Sequence, residues 1–128
     1  MPVAAQRILV VEDDPNLRHL LETALIGADF DVRSAAHGGE ALRMLRDGDF
    51  AGVVLDLVLP WVNGIEVLSS MRADRRLASL PVLVITGTPM MEHELRAFRP
   101  LTVLHKPFAI DAAIATMQAI LSSPDALV

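Results

Sequence analysis

Acidic side chains directly follow two apolar segments of this chain, and a lysine follows a third. Glu12 and Asp13 come after the segment RILVV at 7–11, Asp56 comes after AGVVL at 51–55, and Lys106 precedes Pro107. In an open parallel α/β sheet, ligands bind in the crevice outside the carboxyl ends of the strands. If the three segments are neighbouring strands, their carboxylates converge. Such a cluster predicts a site for a hard cation and a phosphoryl group.

Grouped carboxylates favour a particular chemistry. They repel one another and raise each other's pKa unless a cation relieves the repulsion. Mg²⁺ suits such a group, because it usually takes one or two carboxylates together with phosphate oxygens. We therefore predict Asp13 and Asp56 as metal ligands. A carboxylate can also be the nucleophile in aspartyl-phosphate chemistry, which makes Asp56 a candidate phosphoacceptor.

The same strand ends carry groups that could hold a phosphoryl group on Asp56. Its added oxygens would need donors and positive charge. Lys106 offers an ammonium, Thr86 a hydroxyl, and Gly87 a backbone N–H that no side chain obstructs. A residue before proline favours an extended backbone, which helps to direct the lysine side chain. A cis Lys106–Pro107 peptide is an option that the sequence leaves open.

Apolar runs alternate five times with helical periodicity, which is typical of βαβ units and a parallel sheet. Asp14 and Pro15 predict the N-cap and first residue of the first helix, which ends near Gly27. The predicted strands are 7–11, 31–35, 52–56, 82–85 and 101–105. The second helix begins at about Gly38 and ends at Asp47, and the third follows Gly64 with Ile65, Val67, Leu68 and Met71 on its apolar face. The last two helices are about 89–98 and 110–122.

Length and composition restrict the class of protein. The 128 residues predict one domain over 1–128, with an ordered core at about 6–122 and no output domain. The absence of cysteine excludes disulfides and thiolate chemistry. We find no apolar run of membrane-spanning length and no signal peptide, so we expect a soluble cytoplasmic protein.

A net charge of −5 argues against direct nucleic-acid binding. The largest basic cluster consists of Arg72, Arg75 and Arg76. We interpret it as a solvated helix terminus, where cations favour the helix dipole.

In this order, the motifs resemble the receiver domain of two-component response regulators, the family of the chemotaxis response regulator. The matching pieces are Glu12-Asp13, Asp56-Leu57-Val58-Leu59-Pro60 with Gly64, Thr86-Gly87, and Lys106-Pro107-Phe108. The resemblance covers nearly the whole chain. It implies a flavodoxin-like (βα)5 three-layer sandwich with a five-stranded parallel sheet in the order 2-1-3-4-5.

The resemblance also implies roles for the site. Asp56 would accept a phosphoryl group from a phosphohistidine on a sensor histidine kinase or histidine phosphotransfer protein. Asp13, Asp56 and the backbone carbonyl of Val58 would hold Mg²⁺, with Glu12 acting directly or through water. Such a domain is a signalling module that assists its own phosphorylation and dephosphorylation. Its downstream protein partner would bind the face formed by the fourth helix, fifth strand and fifth helix.

One position departs from the family pattern. Val103 stands where the family usually has an aromatic residue whose swing reports phosphorylation. Either Thr86 acts with a smaller rearrangement, or the signal takes another route. Trp61 is expected near the site and partly exposed, which makes it a fluorescence probe.

Three alternatives remain open. The chain can be the receiver part of a larger hybrid kinase or regulator. A haloacid-dehalogenase-like phosphatase also uses a strand-end aspartate with Mg²⁺, but that family needs a second aspartate where Val58 lies. A flavin-binding flavodoxin-like protein needs a phosphate loop after the first strand, where this chain has carboxylates instead.

Overall fold

A five-stranded parallel sheet forms the centre of the protein, in a computed structural model that describes residues 5–87 and 92–122. The strands are β1 (Arg7–Val11), β2 (Asp31–Ala35), β3 (Gly52–Asp56), β4 (Val82–Thr86) and β5 (Leu101–His105). Their order is β2-β1-β3-β4-β5, and every pairing is parallel. The predicted order is confirmed, and β4 extends one residue beyond the predicted segment.

Helices cover both faces of the sheet. They are α1 (Pro15–Gly27), α2 (Gly38–Asp47), α3 (Gly64–Ala73), α4 (Glu92–Leu95) and α5 (Ile110–Ser122). Helix α1 contacts α5 on one face, and α2 contacts α3 on the other. This is the predicted three-layer arrangement. No helix in 5–87 or 92–122 is long and apolar enough to cross a bilayer.

The fourth helix differs most from its prediction. Helix α4 has only four residues, and a 3-10 helix at Arg96–Phe98 continues it. The first residues of the predicted segment, 89–91, lie outside the described residues, as do 123–128 at the end of the predicted domain.

Burial shows where the chemistry of this fold lies. Strands β3 and β4 are buried along their whole length, because helices cover both faces of the sheet. Apart from residues outside the described ranges, the buried polar or charged residues are Glu12, Asp56 and Thr86. All three lie at the carboxyl edge of the sheet. A buried polar group needs partners, so this edge is where function is expected.

The helix starts at this edge are fixed by side-chain caps. The Asp14 carboxylate accepts a hydrogen bond from the Asn16 N–H at 2.9 Å, and Pro15 is the first residue of α1. The predicted cap is therefore confirmed. His37 and Asn63 cap α2 and α3 in the same way.

Candidate functional site

The carboxyl edge of the sheet brings three acidic side chains together. One carboxylate oxygen from each of Glu12, Asp13 and Asp56 lies within 4.8 Å of the others. Glu12 and Asp56 are buried, whereas Asp13 is exposed. The register explains the approach. Val11 pairs with Leu55, so the next residues along the two segments, Glu12 and Asp56, lie side by side.

The ammonium group of Lys106 contacts two of these carboxylates. Its Nζ lies 2.8 Å from Oδ2 of Asp56 and 3.3 Å from Oε1 of Glu12. The Lys106 backbone N–H donates to the Thr86 carbonyl at 2.8 Å, which fixes the lysine beside the end of β4. The Lys106–Pro107 peptide is cis. The two ammonium contacts place the Lys106 side chain inside the acidic cluster.

Backbone donors hold the other oxygens of the buried carboxylates. The Val58 N–H donates to Oδ1 of Asp56 at 2.9 Å, and the Asp14 N–H donates to Oε2 of Glu12 at 3.1 Å. Each buried carboxylate thus has one ammonium contact and one backbone contact. Charge-assisted bonds of this kind orient a carboxylate closely.

Arg18 supports the acidic loop, and sequence reasoning missed it. Its Nη1 donates to the carbonyls of Glu12 and Asp13, at 2.9 and 3.3 Å. The arginine lies in the first turn of α1 and reaches back to the loop that precedes the helix. No spacing or motif in the sequence predicts such a return contact.

The electrostatics of the cluster favour a bound cation. Burial, followed by the hydrogen bond and charge of Asp56, raises the pKa of Glu12 to about 8. Burial alone would lower the pKa of Lys106, but Asp56 and Glu12 together outweigh it and raise that pKa. One ammonium faces three carboxylates, so the cluster has an excess of negative charge. Its oxygen donors fit a hard cation such as Mg²⁺.

Helix α3 begins directly against the strand that carries Asp56. The Gly64 N–H donates to the Leu57 carbonyl at 2.9 Å. A Cβ at position 64 would lie 2.5 Å from the Leu57 Cα and 2.7 Å from the Asp56 carbonyl oxygen. Only glycine allows this approach. The start of α3 is therefore fixed to the backbone beside the acidic cluster.

Trp61 lies in the loop between β3 and α3. Its side chain is 85% exposed, and its backbone has a φ of 63°. Its ring meets the ring of His37 edge-on, with centroids 5.7 Å apart. The indole is thus more exposed than the sequence predicted, and it contacts the N-cap of α2.

The remaining predicted residues lie on β4 and β5. Thr86 is buried at the end of β4. Gly87 is exposed, and a Cβ there would meet the Lys106 Cβ at 3.8 Å, an ordinary contact, so packing does not require glycine. Val103 pairs with Val84 and packs against the apolar core between the sheet and the α2–α3 layer.

Two of the three clustered arginines have structural partners. Arg76 donates to the carbonyls of Arg46 and Gly48, and Arg72 donates to three carbonyls. The interpretation as a solvated helix terminus is therefore wrong for Arg72, which is partly buried, whereas Arg76 stays exposed. They join segments that are distant in sequence.

The fold and the site together define a class of protein. It is a doubly wound parallel α/β domain with an acidic cluster and a lysine at the carboxyl edge of its sheet. The family model described as the response regulator receiver domain matches residues 8–118. The chain belongs to this family, and the predicted resemblance is confirmed. Response regulators receive phosphoryl groups from kinases, so the chain is a receiver module of two-component signalling.

Known proteins resemble the chain in sequence and in fold. The DNA-binding dual master transcriptional regulator RpaA of Synechocystis is 34% identical over 123 residues, which cover 93% of this chain and 50% of RpaA. The chain spans about half the length of such curated relatives, or less.

Solved structures show the same likeness. The chemotaxis protein CheY4 of Vibrio cholerae has a TM-score of 0.85 and 27% identity, covering 91% of this chain and 99% of that one. The response regulator TrrA of Thermotoga maritima, solved in complex with Mg²⁺ and BeF, has a TM-score of 0.80 and 27% identity, covering 90% of this chain and 98% of that one.

Proposed function

We propose that Asp56 is the phosphoacceptor of this receiver domain. One observation supports the assignment above the others: the buried Asp56 carboxylate is 2.8 Å from the Lys106 ammonium and lies beside Glu12 and Asp13. An ordinary strand-end aspartate is exposed and caps a turn or helix. A buried carboxylate within reach of two others needs a cation, and a cation beside it prepares it for reaction with phosphate.

The metal would be Mg²⁺. The carboxylates of Glu12, Asp13 and Asp56 and the backbone carbonyl of Val58 would hold it, with Glu12 binding directly or through water. When bound, the ion would neutralise charge on the phosphoryl oxygens and on the carboxylates. The TrrA structure, described as a complex with Mg²⁺ and BeF, supports the choice of metal.

Phosphoryl transfer would proceed from a phosphohistidine on a sensor histidine kinase or a histidine phosphotransfer protein. An Asp56 carboxylate oxygen attacks phosphorus, a P–O bond forms, and the P–N bond breaks with its electron pair leaving on the imidazole nitrogen. Lys106 Nζ stabilises the developing charge. The Thr86 hydroxyl and the Gly87 N–H would hold the transferred oxygens.

The signal would leave through the face formed by α4, β5 and α5, where a downstream protein partner would bind. Thr86 would contribute to the switch by turning toward the phosphoryl group. Val103 has a short, branched side chain with little to swing, so a switch based on an aromatic residue cannot operate at that position. The cytoplasmic location and the absence of direct nucleic-acid contact stay predictions.

The relation to RpaA supports a second proposal, that this receiver serves a longer regulator. The chain covers only 50% of that DNA-binding relative. The mass of the native gene product would test it, and a mass equal to that of 128 residues would contradict it.

A haloacid-dehalogenase-like phosphatase is disfavoured, because the position of its second aspartate holds the apolar side chain of Val58, which is 59% exposed.

Incubation with Mg²⁺ and acetyl phosphate, followed by mass spectrometry, tests the phosphoacceptor. We expect one phosphoryl group on the wild type, located at Asp56, and none on Asp56→Asn. Asp31→Asn is the matched control, because Asp31 also binds cationic side chains but lies at the opposite edge of the sheet. It should be labelled like the wild type. An unlabelled wild type, or labelling of Asp56→Asn, would contradict the proposal.

A further inference from the structure

The guanidinium group of Arg72, near the end of α3, binds three backbone carbonyls from later segments of the chain. Nε donates to Phe98 at 2.7 Å, Nη1 to Leu77 at 3.0 Å and Nη2 to Pro100 at 2.8 Å. Burial lowers the pKa of Arg72. Its bonds are made to carbonyls alone, with no carboxylate partner among residues 5–87 and 92–122. A partly buried cation held only by carbonyls is a specific connection between segments.

The connected segments include the start of the edge strand β5. Pro100 directly precedes β5, and Phe98 ends the 3-10 helix that follows α4. Phe98 also packs against the same apolar core as Val103. The three donor nitrogens of the Arg72 guanidinium, called here the Arg72 fork, therefore set the position of residues 98–100, which lead into β5.

The other end of α3 is fixed to the phosphoacceptor strand. As described above, Gly64 packs against the backbone of Asp56 and Leu57 with no room for a Cβ. The helix between these two ends has 10 residues, or about 15 Å, and its inner side chains are fully buried. A close-packed helix moves as a unit, so a shift at its first residue reaches its last turn.

We propose that Arg72 is a positioning residue that couples the Asp56 site, through α3, to the entry of β5. Phosphorylation moves the backbone at Asp56 and Leu57, α3 follows because of the contact at Gly64, and the Arg72 fork moves residues 98–100. This route does not use the side chain at position 103, where the chain has valine. The inference rests on the proposed function of Asp56.

The fork, rather than the charge alone, is required for this coupling. Lysine keeps the charge but presents a single ammonium, which cannot reach three carbonyls in a planar arrangement. Arg72→Lys is therefore the informative variant, and Arg72→Ala is the second. Arg76→Lys is the matched control, because Arg76 also binds two carbonyls but connects to α2 instead of the entry of β5.

Hydrogen exchange with and without Mg²⁺ and beryllofluoride, a phosphoryl mimic, measures the coupling. In the wild type and in Arg76→Lys, we expect ligand to change the exchange of amides in 98–105. In both Arg72 variants most of this change should be lost, while the ligand still changes exchange at 56–58. Thermal unfolding confirms that each variant is folded.

The outcomes separate the coupling from a merely structural role. An Arg72→Lys variant that exchanges faster in both states, but keeps the full ligand-induced change, overturns the proposal. So does a wild type that binds beryllofluoride with no change at 98–105, or the loss of beryllofluoride binding in both Arg72 variants. A wild type that binds no beryllofluoride and takes no phosphoryl group contradicts the proposed function itself, which is a different result.

Discussion

Two clusters of charged side chains lie at opposite edges of the sheet and have nearly equal contact distances. At the amino edge, Arg7 and Arg33 lie 2.8 and 2.6 Å from the Asp31 carboxylate. At the carboxyl edge, Lys106 lies 2.8 Å from Asp56. The side chains of the first cluster are about one-third to one-half exposed, whereas Asp56 and Glu12 are buried.

The two clusters differ in what they do to a carboxyl group. The hydrogen bond from Arg7 leads the effects that lower the pKa of Asp31. Burial and Asp56 instead raise the pKa of Glu12 to about 8. Two cations face one carboxylate at the amino edge, and one cation faces three carboxylates at the other. Contact distance therefore does not define a reactive site here, whereas burial and charge imbalance do.

Lys106→Met should give the largest effect on stability. Without Mg²⁺, the free energy of unfolding should fall by about 2 kcal/mol, because two buried carboxylates lose their cation. This loss is smaller than that expected for a fully buried ion pair, because the Lys106 side chain keeps some contact with water. Urea unfolding in EDTA measures it, and excess Mg²⁺ should restore part of the loss.

Arg33→Met is the control at the amino edge. An exposed ion pair contributes little, so we expect a loss below about 0.5 kcal/mol. Equal losses for Lys106→Met and Arg33→Met would remove the distinction between the two clusters.

Glu12→Gln should stabilise the protein without Mg²⁺ at high pH. The pKa of Glu12 is about 8 in the folded protein, against 4.5 as its ordinary value. Between these values the folded state binds more protons than the unfolded state, so the wild type loses stability as pH rises. We expect the variant to exceed the wild type by about 1–2 kcal/mol at pH ~8 and to match it near pH ~4. Parallel stability curves for the two proteins would contradict this.

Asp31→Asn should have a smaller effect of the opposite sign. The folded pKa of Asp31 lies below its ordinary value of 3.8. Its contribution to stability is therefore present above that value and lost as the pH falls through the lower, folded pKa. Melting curves of wild type and variant should differ slightly at neutral pH and converge in strong acid, and added salt should narrow the difference. A stability difference between wild type and variant that grows as the pH falls would contradict this prediction.

Val103→Ala should change phosphorylation least, because Val103 lies outside both charged clusters. The variant should still take one phosphoryl group from acetyl phosphate at Asp56. Its cavity should cost about 1 kcal/mol of stability or less, since the side chain is only partly buried. Failure of the folded variant to take phosphate would show that the interior of β5 is needed for the chemistry.

Local patterns in the sequence predicted the strands well. The predicted segments match the bounds of β1, β2, β3 and β5. In β1, β3 and β5 an apolar run ends at or just before a polar residue, whereas β2 has only Val32 and Ala35 as apolar residues and is the weakest of these signals. The sequence also distinguished Asp14, which it predicted as the N-cap of α1, from the acidic pair Glu12 and Asp13. The pairing of Glu12 with Asp13 was predicted, but not their different burial. The Glu12 N–H donates to the Ala35 carbonyl and continues the line of β1, so its side chain stays inside.

Contacts between distant segments could not be predicted. Arg72 binds carbonyls as many as 28 positions away, and no local periodicity encodes which carbonyls an arginine will meet. The helical segment ends at Phe98 as predicted, but its last three residues form a 3-10 helix in place of an α-helical turn. The Arg72 contacts and the 3-10 helix depend on how helices and strands pack against one another, and local sequence patterns do not predict that packing.

The backbone bond between the Lys106 N–H and the Thr86 carbonyl has a consequence for how this site can change over time. The spacing between positions 86 and 106 is set by main-chain atoms, which every amino acid shares except for proline's missing N–H. Side chains at these two positions can therefore be exchanged while their attachment points stay in place. The main chain at this edge of the sheet therefore keeps positions 86 and 106 in place when their side chains are substituted. The reactivity of the site and the lifetime of its phosphoryl group can change in this way while the fold stays the same.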